Sequence, residues 1–231
     1  MTLQAVFIDV GNTLVYEKPS RFEIYAETAR GRGLTLPTEE MDRLMRQAHK
    51  ELPSVVDGAY RYTDPWCESY IERIFHDYLG LDRGELAPLR EELFGRFSEP
   101  STFELFPGTF DILARFRAQG LAIGLVSNWS TRLPRLMEAL DITGRVDFVV
   151  TSAIERCEKP DPQIFNIALE RAGVAADRAL HAGDDVEKDL YGARRAGLRA
   201  VLVDHHDRHG PDPTPRVQNL HELAELVLAL A

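Results

Sequence analysis

Two hydrophobic patterns alternate at the start of the chain and through its second half. Short continuous apolar runs end in polar residues or glycine, and stretches with apolar positions at helical spacing separate them. Buried strands that alternate with helices form parallel sheets, so this part of the chain is predicted to be an α/β domain. The predicted strands are the run that ends at Asp9 and residues 121–126, 146–150, 179–183 and 198–203. The predicted helices are residues 109–118, 131–140, 162–172, 190–196 and 221–230.

Residues 15–103 have little β character, and their apolar positions recur at helical spacing. Ser20 and Glu23 form a capping box, the Ser-x-x-Glu arrangement that begins many helices, and this helix should extend to about residue 30. The other helices predicted in this segment are residues 38–48, 65–79 and 85–97. We therefore predict a core of residues 1–14 and 104–231, with residues 15–103 inserted as a helical domain.

The formal net charge is −10, which argues against nucleic acid or an acidic membrane as a partner. The same charge repels an anionic small substrate, so a site for such a substrate must supply its own local positive charge.

Cys67 and Cys157 match neither a disulfide framework nor a zinc pattern, and we expect two reduced, unreactive thiols. The first strand begins almost at the amino terminus, and no apolar run is long enough to span a membrane. We expect a cytoplasmic protein, either a monomer or a homodimer.

Polar residues follow three of the predicted strands. Asp9 ends the first strand, Ser127 and Asn128 end another, and Asp184 follows the strand that ends at Gly183. A single aspartate at a strand end is weak evidence, since aspartate also favours turns. The carboxyl ends of parallel strands meet at one edge, however, so these residues are predicted to line one crevice.

With a lysine added, these residues resemble the four motifs of the haloacid dehalogenase superfamily of hydrolases. The motifs are Asp9-Val10-Gly11-Asn12-Thr13, Ser127-Asn128, Lys159-Pro160-Asp161-Pro162, and Gly183-Asp184 through Asp189. The resemblance covers essentially the whole core, and the helical segment lies where that superfamily places its cap. It implies a Rossmann-like core, an α-helical cap and hydrolase activity.

The resemblance also implies roles for individual residues. Asp9 is expected to be the nucleophile that forms an aspartyl-phosphate, with Lys159 as its catalytic partner. The expected phosphate-binding residues are Ser127, Asn128, Asn12 and Lys159. The expected Mg²⁺ ligands are Asp9, the carbonyl of Gly11, Asp184 and Asp189, with Asp189 acting through water or through its contacts. The implied substrate is a small phosphorylated molecule.

Gly11 is a departure from this pattern. Phosphatases of the superfamily normally carry at this position a second aspartate, which protonates the leaving group and then activates water. A general acid/base typically contributes about 10²–10⁴-fold, so its loss slows hydrolysis without abolishing it. The leading interpretation is a phosphatase whose proton comes from the cap, the substrate or water, and which favours acidic leaving groups such as acyl or aryl phosphates.

Three other interpretations stay open. A dehalogenase-like enzyme, in which Asp9 displaces halide from a haloacid, would need no metal and would give the aspartates of the fourth motif no purpose. A phosphonatase would need a lysine from the cap, for which Lys50 is the candidate. A non-catalytic binding or regulatory protein would keep the fold and the metal pocket without turnover.

Two features near the crevice receive structural interpretations. The segment 204–209 has the composition of a metal cluster but no matching spacing, and we predict a solvated loop. Trp129 is predicted to pack beneath the cap rather than to line the entrance. The cap residues from which specificity would come are Arg21, Tyr25, Arg61, Tyr62 and Trp66.

Overall fold

The computed structural model describes residues 2–210, 212 and 214–231. The strands are β1 (Ala5–Ile8), β2 (Val15–Glu17), β3 (Val55–Val56), β4 (Ala59–Tyr60), β5 (Phe103–Leu105), β6 (Ala122–Ser127), β7 (Phe148–Thr151), β8 (Ala179–Gly183), β9 (Arg199–Val203) and β10 (Arg216–Val217). The α-helices are α1 (Arg21–Arg30), α2 (Thr38–Glu51), α3 (Asp64–Glu72), α4 (Leu86–Arg96), α5 (Thr109–Ala118), α6 (Leu133–Ala139), α7 (Ser152–Glu155), α8 (Pro162–Ala172), α9 (Gly192–Arg195) and α10 (Leu220–Leu228).

The main sheet has six strands in the order β10-β9-β8-β1-β6-β7. Every neighbouring pair in it is parallel, and Ala5 of β1 is in register with Ala122 of β6 and Ala179 of β8. This arrangement confirms the predicted α/β class. Because β8, β1 and β6 are adjacent and parallel, the residues that follow them lie at one edge of the sheet.

The central strands are mostly apolar because both faces of the sheet are covered. All four residues of β1 are fully buried. Phe7 packs edge-on against Phe148 of β7, with ring centroids 5.9 Å apart. On the same side lies a cluster that includes Val126, Val150, Ile164, Phe165 and Leu190. These contacts hold the strand that delivers Asp9.

The chain forms two compact units. One comprises the residues through Tyr16, Leu105–Trp129 and Leu133–Ala231, and the other comprises Glu17–Glu104 and Ser130–Arg132. The first unit contains the six-stranded sheet.

The second unit is mainly helical, as the sequence pattern predicts. Ser20 caps α1, since its hydroxyl accepts a hydrogen bond from the Glu23 N–H at 3.3 Å. The predicted third helix consists of α3 followed by a π-helical segment, Arg73–Tyr78. The buried core of this unit includes Ile24, Met41, Ile71, Ile74, Phe75 and Leu89. No helix among the described residues is both long and apolar enough to cross a membrane.

Several short elements were not predicted. The strands β2, β3, β4, β5 and β10 have two or three residues each, too few to show a period of two. The helix α7 has four residues, too few to show helical periodicity.

Candidate active site

The first strand ends in a tight turn that follows Asp9. The carbonyl of Val10 accepts hydrogen bonds from the N–H groups of Leu14 and Val15, at 2.9 and 3.0 Å. Asn12 has φ +55° and donates its N–H to the carbonyl of Val15 at 2.7 Å. Asparagine tolerates this left-handed conformation better than most residues do. The turn therefore fixes the backbone on the carboxyl side of Asp9.

The second strand end supports the lysine of the third motif. The side-chain amide of Asn128 donates to the carbonyl of Lys159 and accepts from its N–H, both at 2.8 Å. Asn128 is thus engaged with the main chain of Lys159. Ser127 is buried, and its hydroxyl hydrogen-bonds the carboxylate of Asp9.

Lys159 joins the first and fourth motifs. Its ammonium donates to Oδ1 of Asp9 at 2.6 Å and to Oδ1 of Asp189 at 2.5 Å, and the lysine side chain is 2% exposed. Burial would by itself lower the pKa of Lys159, but the charges of Asp189 and Asp9 outweigh that effect and raise it. The lysine is therefore a fixed cation.

Asp189 is held by three groups. Its Oδ1 accepts from Lys159 and lies 2.8 Å from Nε2 of His181, and its Oδ2 accepts from the N–H of Asp185 at 3.0 Å. Burial would raise the pKa of Asp189, but Lys159 and His181 hold it below its usual range. Gly183 makes room for this carboxylate, because a Cβ there would lie 2.2 Å from Cγ of Asp189.

His181 is the site residue that the sequence patterns did not identify. It lies in the middle of β8, fully buried, with its ring edge-on to Phe165 at 5.0 Å. Its Nδ1 has no hydrogen-bond partner among the described residues. A histidine inside an otherwise apolar strand was the available signal.

Asp184 completes a cluster of carboxylates. Asp9, Asp184 and Asp189 each offer an oxygen that lies within 4.8 Å of the others. Burial, together with the charges of Asp9 and Asp189, raises the pKa of Asp184 to about 7. Arg208 partly compensates, with its guanidinium 3.1 Å from Oδ2 of Asp184 and its side chain half exposed. Three carboxylates around a single buried ammonium are a donor set that suits a hard cation.

The segment 204–209 is a loop with His206, Asp207 and Arg208 exposed, as predicted, but its first two residues are anchored to the core. Asp204 is fully buried and accepts the N–H groups of Arg208 and His209, both at 2.9 Å. His205 stacks on Phe106 at 3.8 Å, and its Nε2 lies 2.9 Å from the carbonyl of Thr13. The burial of Asp204 was not predicted, and it is possible because a carboxylate that accepts backbone N–H groups can be buried.

Trp129 lies against the turn after the nucleophile. A Cβ at Gly11 would be 3.0 Å from Cζ3 and 3.7 Å from Cε3 of the indole. The side chain of Trp129 is half-buried. The structure thus brings together the ends of β1, β6 and β8 with Lys159, as the motifs implied.

Comparisons with known proteins identify a family of hydrolases. A sequence profile described as haloacid dehalogenase-like hydrolase matches residues 3–197. The chain is 31% identical over 237 residues to haloacid dehalogenase-like hydrolase domain-containing protein 3 from Bos taurus, covering 100% of this chain and 94% of that protein. It is 33% identical over 180 residues to a phosphoserine phosphatase from Thermus thermophilus, covering 74% of this chain and 72% of that protein.

A solved structure shares the fold. The HAD-hydrolase YfnB from Bacillus subtilis, bound to magnesium, matches with a TM-score of 0.78 at 17% identity, covering 99% of this chain and 100% of that chain.

Proposed function

The chain belongs to the haloacid dehalogenase-like hydrolases, and we propose that it is a Mg²⁺-dependent phosphatase that hydrolyses a small phosphorylated metabolite through an aspartyl-phosphate on Asp9. The observation that carries this proposal is the cluster of Asp9, Asp184 and Asp189, whose oxygens lie within 4.8 Å of one another. A phosphorylated substrate cannot approach three carboxylates unless their charge is compensated. A phosphatase needs a cation there, whereas displacement of halide from carbon does not.

The residues present fit Mg²⁺. It is a hard cation that prefers oxygen ligands, and the carboxylates of Asp9 and Asp184 and the backbone carbonyl of Gly11 would hold it. We assign Asp189 to the support of this site, through water or through Lys159, because its two oxygens already accept hydrogen bonds. Burial, and then the charges of Asp9 and Asp189, raise the pKa of Asp184, and a divalent cation would neutralise those charges. When bound, Mg²⁺ supplies positive charge to the phosphoryl oxygens.

The remaining chemistry belongs to the side chains. An oxygen of Asp9 attacks phosphorus, the bond from phosphorus to the leaving oxygen breaks, and its electron pair leaves with that oxygen. Lys159 keeps the carboxylate of Asp9 in place and stabilises the phosphoryl oxygens, with which Ser127 also interacts. In the second step, water attacks phosphorus, releases inorganic phosphate and restores Asp9.

The similarity to the phosphoserine phosphatase from Thermus thermophilus supports this proposal over a dehalogenase. Of the specificity residues expected from the sequence, Arg21, Arg61 and Tyr62 stay candidates, whereas Tyr25 and Trp66 are almost completely buried.

A turnover assay tests the proposal. The substrates are p-nitrophenyl phosphate and an acyl phosphate, each with Mg²⁺ and with chelator, and release of chloride from 2-chloropropionate is measured in parallel. We expect phosphate release that requires Mg²⁺ and is abolished in Asp9→Asn, while Asp111→Asn, an exposed aspartate of α5, behaves like wild type. Halide release that does not depend on Mg²⁺ would establish the dehalogenase instead. Phosphate release that is equal in wild type and Asp9→Asn would refute the assigned nucleophile.

A further inference from the structure

The main chain of Trp129 is fixed within the unit that contains the sheet. Its N–H donates to the hydroxyl of Ser152 at 3.1 Å, and its carbonyl accepts from the N–H of Ala153 at 3.3 Å. Both partners belong to α7. These hydrogen bonds fix the backbone that carries the indole.

The indole of Trp129, and not the backbone conformation, explains why position 11 is a glycine. Several glycines have a positive φ, which residues with a side chain rarely adopt, but Gly11 is not among them. Its backbone conformation therefore suits any residue. The obstacle to a side chain is the indole, 3.0 Å from the position of a Cβ. That distance is shorter than ordinary van der Waals contact, and a carboxylate would add three further heavy atoms.

Neither Trp129 nor Lys159 is a general acid for a departing oxygen. The atoms of Trp129 that face Gly11 are the ring carbons Cζ3 and Cε3, and the indole N–H is a hydrogen-bond donor that does not ionise in water. Lys159 is the cation at Asp9, and its ammonium is held by two carboxylates. The residues beside Gly11 and Asp9 thus favour a leaving group that is stable as an anion.

We infer that Trp129 is a specificity-determining residue. Its indole occupies the space beside Gly11 that a proton-donating side chain would need. It thereby restricts the enzyme to phosphates whose leaving group departs unprotonated, such as aryl and acyl phosphates. This inference rests on the proposed phosphatase function. In the first step the bond between phosphorus and the leaving oxygen breaks and the bond from Asp9 to phosphorus forms. No proton is transferred, and the leaving group carries the electron pair away.

The test is the dependence of kcat/KM on the acidity of the leaving group. Aryl phosphates with phenols of graded pKa are compared with an alkyl phosphate, in Mg²⁺. For wild type we expect kcat/KM to fall steeply as the phenol becomes less acidic, with the alkyl phosphate slower than p-nitrophenyl phosphate by at least the roughly 10²–10⁴-fold that a general acid supplies.

Three variants locate the cause. Gly11→Asp alone should lose activity on every substrate, because its side chain meets the indole. Gly11→Asp combined with Trp129→Ala should hydrolyse the alkyl phosphate at least about 10-fold faster than Trp129→Ala alone, because the new carboxyl group then has room to donate a proton. Trp129→Phe, which keeps an aromatic ring, should keep the wild-type selectivity. Phe110→Ala, an exposed aromatic residue of α5, is the matched control and should leave the profile unchanged.

The outcomes separate the two proposals. No Mg²⁺-dependent hydrolysis of any phosphate by wild type would overturn the proposed function, and this inference with it. Hydrolysis that is equally fast for aryl and alkyl phosphates would overturn only the inference. So would a single Gly11→Asp variant as active on the alkyl phosphate as the double variant. If Trp129→Ala does not fold by circular dichroism, Trp129→Leu takes its place in the double variant.

Discussion

The ammonium of Lys159 lies 2.5 Å from Oδ1 of Asp189, and both side chains are almost completely buried. Their contact makes Asp189 the support of the lysine, since the same ammonium also reaches Asp9. Two negative charges are held beside one positive charge at a depth where an unpaired charge costs several kcal/mol. The pairing therefore decides both the stability of the site and the orientation of the nucleophile.

Replacement of Lys159 by methionine should impair stability and turnover together. It leaves Asp9 and Asp189 buried without their cation, and loss of one partner of a buried pair costs about 3–5 kcal/mol. The loss of one charged donor at the phosphoryl group should lower kcat on the order of 10²–10³-fold. Urea unfolding and steady-state phosphate release measure the two effects.

The control for this variant is Lys50→Met, since Lys50 is exposed in α2. Wild-type stability and phosphate release are expected for it. A Lys50→Met variant that loses activity would favour the phosphonatase interpretation, and a Lys159→Met variant with wild-type kcat would contradict the role given to Lys159.

His181 should act through Asp189. His181→Phe removes the hydrogen bond from Nε2 to Oδ1 of Asp189 and keeps an aromatic ring against Phe165. Partners that orient the residues of a metal site are typically worth about 10–100-fold, and we expect a loss of that size in kcat with little change in KM. His181→Gln, which keeps a donor, should retain more activity than His181→Phe.

The control is His221→Gln, since His221 is an exposed residue of α10. Its kcat and KM should match those of wild type. Equal kcat values for His181→Phe and His181→Gln would mean that the hydrogen bond from His181 does not position Asp189.

Much of the site was predictable because topology brings it together. Asp9, Ser127 and Asp184 follow neighbouring parallel strands, and a parallel sheet places all such ends at one edge. Contacts across the core were not predictable in the same way. The approach of Trp129 to Gly11 and the contact of His181 with Asp189 depend on side-chain packing between elements, which hydrophobic periodicity does not encode.

The segment after β9 shows the same limit. Its composition indicates a polar loop, and nothing in the pattern reveals that Asp204 turns inward to accept two backbone N–H groups.

Asp184 should make the metal-free protein less stable as pH rises. Its pKa is about 7 when folded and near the ordinary 3.8 when unfolded. The folded protein therefore binds an extra proton between these values, and the free energy of unfolding falls as pH rises from about 4 to about 7. Asp184→Asn removes this dependence. It should gain about 2 kcal/mol over wild type at pH 5 and up to about 4 kcal/mol at pH 8.

Thermal unfolding in chelator at pH 5 and pH 8 measures the difference. Asp111→Asn serves as the control and should shift Tm equally at the two pH values. Addition of Mg²⁺ at pH 8 should stabilise wild type but not Asp184→Asn, because binding to the folded state alone raises Tm. An advantage of Asp184→Asn that is larger at pH 5 than at pH 8 would contradict the direction of the pKa shift.

Gly183 should be intolerant of even a methyl group. A Cβ at this position would lie 2.2 Å from Cγ of Asp189, so Gly183→Ala must displace the carboxylate that supports Lys159. Overpacking of this kind costs about 1–3 kcal/mol, and kcat should fall with it because Lys159 loses its support. The matched control is Gly95→Ala in α4, where nothing lies within 4 Å of the new methyl group. That variant should be as stable as wild type or up to about 1 kcal/mol more stable, since alanine favours helices over glycine.

A double-mutant cycle with Asp189→Ala isolates the steric contact. If the carboxylate of Asp189 is what the new methyl group meets, Gly183→Ala should cost little further stability once that carboxylate is gone, and the two effects should be far from additive in urea unfolding. If Gly183→Ala instead has its full cost in the Asp189→Ala background, the strain lies in the backbone of β8. Glycine at position 183 would then be required by the strand and not by the carboxylate that holds Lys159 beside Asp9.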